Sequence, residues 1–88
     1  MKIKILATAL EDLSEARRFY EKQGEGLGEY FFDSLFSDID SLALYGGIHQ
    51  KVYEYHRLLS KRFPYAIYYK FEEKRLVVEK ISQSLTEP

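Results

Sequence analysis

The chain has 88 residues, of which 45% are hydrophobic, 16% aromatic and 31% charged, and its net charge is −1 at pH 7. That length points to one domain that buries only about 60–65% of its unfolded surface, so its core must be dense, and the apolar content is too high for a disordered chain. With no cysteine, disulfides and thiolate metal sites are excluded, which fits a reducing cytoplasm, and a pI near 6.1 argues against a dedicated nucleic-acid binder.

The first element predicted is a short strand, from the alternation of KIKIL at residues 2–6. The opening MKIKILATALEDL is not read as a signal peptide, because Lys4 interrupts the apolar run and Glu11 and Asp12 follow it. Thr8-Ala9-Leu10-Glu11 then matches a helix capping box. Leu10, Leu13, Ala16, Phe19 and Tyr20 follow at helical spacing, with acids expected in the first turn, so a helix is predicted at about 9–23, stopped by Gly24. The glycines of GEGLG could hold phosphate at a helix start, but Glu25 and Glu29 would oppose it, and a plain turn is the better reading. A second helix is expected from Leu27, Phe31, Leu35, Ile39 and Leu42, widened by Phe32 and Phe36 and ended by Gly46-Gly47. It would be about 27 Å long and antiparallel to the first.

After Gly47 the period changes to that of strands. Residues 53–63 alternate with Tyr53, Tyr55, Arg57, Leu59, Lys61 and Phe63 on one parity. Pro64 marks a turn or the first residue of a strand. Tyr65, Ile67, Tyr69 and Phe71 then share the face that the helices should cover, while Ala66, Tyr68 and Lys70 face away. Glu72-Glu73-Lys74 reads as a hairpin turn and 76–81 as the last strand; the tail SQSLTEP has no strong pattern. The order β-α-α-β-β-β describes one α+β domain over residues 1–88, an antiparallel sheet with a helical hairpin on one face. The position of the first strand in that sheet is left open.

Charge is unevenly spread. Residues 9–40 carry nine acids against three bases, and residues 41–88 eight bases against five acids. The set His56, Arg57, Lys61 and Arg62 could bind phosphate or an acidic partner segment. It could equally be a solvated strand whose charges discourage aggregation. His49 and His56 each read as a partly exposed structural histidine, since nothing in their spacing builds a metal pair. Tyr68, facing away from the helices, is a candidate for a partner surface. No P-loop, dinucleotide-binding glycine motif, zinc-protease motif or cysteine nucleophile is present, so no catalytic residue, metal or cofactor is assigned, and no run of apolar residues is long enough for a membrane span.

The segments LEDLSEARRFYEKQGEGLGEYFFDSL and HRLLSKRFPYAIYYKFEEKRLVVEKI, in this element order, resemble the RelE/ParE superfamily of bacterial toxins over residues 3–81. The most specific pieces are Asp12-Leu13 with Ala16 and Tyr20, Gly26-Leu27-Gly28 with Phe31 or Phe32, and Arg62-Phe63-Pro64-Tyr65 with Tyr69. The glycine turn and the RFPY turn look closer to the ParE, plasmid-stabilisation branch. The resemblance implies a cytoplasmic type II toxin held inactive by a cognate antitoxin. Its expected action is to bind and inhibit DNA gyrase, as ParE-like members do, or to cut messenger RNA on the ribosome, as RelE-like members do. The antitoxin is expected to lay an apolar helix on the helical hairpin and acids on the basic strand. Many relatives carry H-x-x-R-x-P after the last strand. Here Ser82 stands where the His would be and Leu85 where the Arg would be, and the chain stops at Pro88. Neither residue serves as a general acid or a phosphate clamp, so the expectation is a binding toxin, with Arg57, Lys61, Arg62 and Tyr68 as candidate contacts to target or phosphate. The alternatives are a ribosome-dependent mRNA endonuclease using the same residues, and an inactive relative that only binds antitoxin.

Overall fold

The computed structural model describes residues 2–84, so Leu85, the position matched to the family's Arg, lies outside the described residues. The elements run β1 (Lys2–Ile5), α1 (Ala7–Glu21), α2 (Leu27–Asp40), α3 (Leu42–Tyr45), β2 (Lys51–Val52), β3 (Tyr55–Leu59), β4 (Tyr65–Glu72) and β5 (Arg75–Gln83). They form one five-stranded sheet in the order β1-β5-β4-β3-β2. β1 lies at an edge, parallel to β5, and every other pairing is antiparallel. The expected α+β class with helices on one face is what the chain adopts, with a two-residue strand and a one-turn helix added to the predicted order.

The start of α1 departs from the capping-box expectation. The helix begins at Ala7, directly after the Leu6 N–H has closed the β1–β5 ladder on the Val78 carbonyl at 3.0 Å. Leu6 is the N-cap and supplies no side-chain cap, and no acid lies in the first turn. Thr8 and Asp12 are used instead to complete β5 where β1 has ended. The Thr8 hydroxyl donates to the Glu79 carbonyl (3.1 Å), and the Ile81 N–H donates to the Asp12 carboxylate (3.1 Å). Backbone groups buried beneath a helix need such partners. The inward stripe of α1 is Ala9, Leu13, Ala16 and the half-buried Tyr20, while Leu10 and Phe19 are exposed.

The GEGLG turn is plain in outline but specific in detail. Gly26 takes a left-handed φ of 83° as the N-cap of α2, a conformation open to glycine at little cost. A Cβ on Gly28 would lie 2.6 Å from the Arg17 carbonyl oxygen, so the two helices meet at a distance only glycine allows. The anion position at the start of α2 is filled from within: the Glu21 carboxylate accepts the N–H groups of Gly26 (3.1 Å) and Gly28 (2.9 Å). The second helix is shorter than expected because Ser41 interrupts it. Its hydroxyl donates back to the Asp38 carbonyl at 2.6 Å, a bond that bends helices, and α3 follows as a single turn.

The predicted strand over 53–63 is also broken. Tyr53, at a φ of 59°, makes the turn between β2 and β3. β3 stops at Leu59, where the buried Asp38 carboxylate takes the Ser60 hydroxyl (2.7 Å) and the Lys61 N–H (3.3 Å). β5 runs on to Gln83 and so includes Ser82, which the sequence reading left in a patternless tail. The core gathers Leu13, Phe31, Leu35, Ile39, Leu42, Ile67, Tyr69, Leu76, Val78 and Ile81 between the helices and one face of the sheet. Phe71 shares their parity but lies at the rim of that core and is 43% exposed.

Candidate partner-binding face

The helices cover one face of the sheet and leave the other open. Strand alternation assigns the open-face residues. Arg57 and Leu59 of β3 stand opposite Tyr68 and Ala66 of β4, which stand opposite Lys80 and Ser82 of β5. The ladder shifts between Tyr68 and Tyr69, because β5 holds one extra residue, Glu79. A bulge of this kind lets two successive residues serve one face, and Glu79 and Lys80 both line a groove of about 440 Å³ there. Its other walls are Val52, Tyr53, Tyr55, Tyr68 and Ser82. Tyr53, on its strained turn, is 96% exposed.

The charges on this face differ in how free they are. Lys70 is bound to Glu79 (3.0 Å) and Glu72 (3.4 Å), and its amine sits 5.5 Å from the centroid of the Tyr55 ring. Its pKa is raised, chiefly by the hydrogen bond to Glu79. Arg57 and Lys80 take part in no ion pair among the described residues. The groove thus offers three tyrosine rings and a free ammonium, with the free guanidinium of Arg57 opposite Tyr68 on the neighbouring strand. Such a set suits a carboxylate or phosphate carried beside an apolar or planar group.

The four residues singled out in the sequence fall into two places. Arg57 and Tyr68 are direct cross-strand neighbours on the open face. Lys61 and Arg62 are exposed on the β3–β4 loop, held by Asp38 and Ser60, and do not continue the strand. His56 leaves the basic set altogether, because it lies on the opposite face of β3 and stacks on the buried Tyr69 ring at 5.1 Å between centroids. Sequence reading missed Tyr53, Tyr55, Glu79 and Lys80 as members of this face, and named Ser82 only as the position of the His expected from the resemblance. The parity of Tyr55 and of Lys80 with Ser82 was available, but their assignment needed the bulge and the true end of β5.

Beneath the sheet, the Tyr69 hydroxyl accepts the Gly47 N–H (2.9 Å) and donates to His49 Nδ1 (2.5 Å), while His56 Nδ1 donates to the His49 carbonyl (3.0 Å). Burial, and then the neighbouring His56, hold the His49 imidazole below its usual pKa. Burial raises that of Tyr69. The two histidines thus anchor the segment leading into β2, and among the described residues no group of three His, Cys, Asp or Glu side chains could hold a metal ion. No helix of the described residues is long and apolar enough to cross a membrane.

No family model matches the chain, and no curated protein matches it in sequence. Among solved structures, a chain described as "Chromosomal ParDE TA system from P. aeruginosa" aligns with a TM-score of 0.84 over 96% of each chain, at 18% sequence identity. The two chains share one fold. At this identity the agreement is one of architecture.

Proposed function

We propose that this chain is the toxin of a type II toxin–antitoxin pair, acting in the cytoplasm by binding its target and neutralised by a cognate antitoxin. The observation that carries this reading is the end-to-end match to a ParDE chain. DNA gyrase is the target expected of the ParE branch. The open face supports a binding mode: Arg57, Tyr68 and Lys80 are free to contact a partner, while the position of the family's His is Ser82, in the groove wall. A serine hydroxyl is far too weak an acid to serve as a general acid near neutral pH, so Ser82 does not replace the imidazole there. The exposed Leu10, Phe19 and Tyr30 on the helical hairpin fit an apolar antitoxin helix.

The direct test is expression of the chain alone and with the short open reading frame beside its gene, followed by a supercoiling assay with purified gyrase. Growth arrest relieved by co-expression, with supercoiling blocked by the purified chain, supports the proposal. Neither arrest nor a complex with the neighbouring product would sink it; a complex without arrest would instead identify an inactive antitoxin-binding relative. A second reading rests on the Arg57–Tyr68 pair, which could hold an RNA phosphate against a stacked base. It predicts cuts on translating ribosomes in a toeprinting assay, and their absence removes it.

A further inference from the structure

The two edges of the sheet are finished differently. β2 is two residues long, whereas β1 offers four residues along an open side. Parallel pairing with β5, continued by the Leu6 N–H on Val78, turns the backbone groups of Lys2 and Lys4 toward β5. The N–H and C=O groups of Ile3 and Ile5 therefore point outward. They meet no strand, and no loop or side chain bonds them among the described residues. The side chains along this edge are sorted by face. Lys2 and Lys4 are exposed on the open face, next to Arg75 and Lys74, and none of these four cations is in an ion pair among the described residues. The one acid beside them that is free of an ion pair is Glu73, in the β4–β5 turn. On the other face Ile3 and Ile5 are half-buried against the core, with α3 packed against the strand.

We propose that β1 is a strand-addition site for an extended partner segment in which acidic residues alternate with aliphatic ones. Such a segment would satisfy the four outward backbone groups. Its acids would lie beside Lys2 and Lys4, and its aliphatic side chains would cover the remaining exposed surface of Ile3 and Ile5. The same lysines argue against a second copy of this chain as the occupant. Antiparallel β1–β1 pairing would set lysine against lysine, and like charges directly opposite destabilise a ladder. This site is independent of the toxin reading and would stand whether or not the chain arrests growth.

The test uses the isotopically labelled full chain and a blocked heptapeptide of alternating glutamate and valine. Binding should slow hydrogen exchange at the Ile3 and Ile5 amides at least tenfold. N-methylation of one parity of the peptide should abolish binding, the valines for antiparallel addition or the glutamates for parallel addition, while the other parity leaves it intact. The Lys2→Glu/Lys4→Glu variant should lose about tenfold in affinity at low salt and should gain binding to the corresponding lysine–valine peptide, which also shows that the variant is folded. No binding, binding that leaves the Ile3 and Ile5 amides unprotected, or equal binding by both N-methylated peptides would overturn the proposal. Protection of those amides in the free chain through self-association would overturn it as well.

Discussion

Neighbouring residues of β4 enter two different settings. Ile67 and Tyr69 lie under the helices with no exposed surface, and the ring of Tyr65 completes a cluster in which Phe31 lies 4.9 Å from both Tyr20 and Phe63 and 5.1 Å from Tyr65, centroid to centroid. Tyr68 and Lys70 face the other way; Tyr68 lines a groove with Tyr55 and Glu79, the glutamate bound to Lys70. On the inner face rings pack mainly against rings, and the Tyr69 hydroxyl is satisfied on both sides. On the outer face the tyrosines meet charge and solvent, and Arg57 and Lys80, the two cross-strand neighbours of Tyr68, stay unpaired among the described residues. Both faces are aromatic, so aromatic content alone does not separate core from recognition surface; what surrounds each ring does. The division predicts that inner-face changes act on stability and outer-face changes on binding.

The largest effect should come from Phe31→Ala. Removing a fully buried ring from the centre of that cluster costs about 3–5 kcal/mol, a large share of the stability of a domain this size. Urea unfolding gives the value directly. A loss under about 1 kcal/mol would mean that the helices do not depend on this cluster.

Next is the strut below the β3–β4 loop. Asp38 is only 7% exposed and accepts two hydrogen bonds. Asp38→Ala leaves the buried Ser60 hydroxyl without its acceptor, at about 1–3 kcal/mol. Ser60→Ala in the same background should add little, because the two residues share one interaction. Additive losses in that double-mutant cycle would show that the bond contributes nothing specific.

On the outer face, Tyr68→Ala and Arg57→Ala should each change stability by no more than about 1 kcal/mol while weakening growth arrest. The two properties are measured on the same variants, by denaturation and by plating after induction. If Tyr68→Ala unfolds the chain, or both variants remain fully toxic, the division between the faces fails.

The limits of the sequence reading follow the same division. Strand parity in 65–70 placed Ile67, Tyr69 and Tyr68 on their correct faces, because a period of two cannot slip without exposing the whole apolar set. The helices were visible for a similar reason. What escaped depended on contacts distant in sequence. Thr8 looked like a cap but serves the Glu79 carbonyl 71 residues away. The basic run from His56 to Arg62 looked like one strand, but the Ser60 N–H makes the last bond to β4, on the Tyr65 carbonyl, and Asp38 takes the Lys61 N–H instead. Of the candidate contacts, Arg57 and Tyr68 were found and do face each other; Lys61 and Arg62 lie on the loop. Lys80 was missed, and Ser82 was named without its place on this face, because the bulge at Glu79 resets their register and no local pattern marks it.

The inner face can also be probed by pH. His49 is held neutral beneath the sheet by burial and by His56, with its Nδ1 accepting from Tyr69. Its folded-state pKa lies below the ordinary 6.5, so as pH falls the unfolded chain takes up the proton first. Stability from this group is complete above about pH 6.5 and declines as the pH falls through the folded-state value. Urea midpoints should therefore drop between pH 7.5 and 5.5, before most carboxylates titrate. His49→Gln, which carries no titrating proton, should flatten that part of the profile. An unchanged profile in His49→Gln would assign the pH dependence to another group. Tyr69→Phe tests the same network from the other side: it strips the Gly47 N–H and His49 Nδ1 of their shared partner and should cost about 1–2 kcal/mol at pH 7.5. That loss should shrink toward pH 5.5, because a protonated His49 could no longer accept the hydrogen bond from Tyr69.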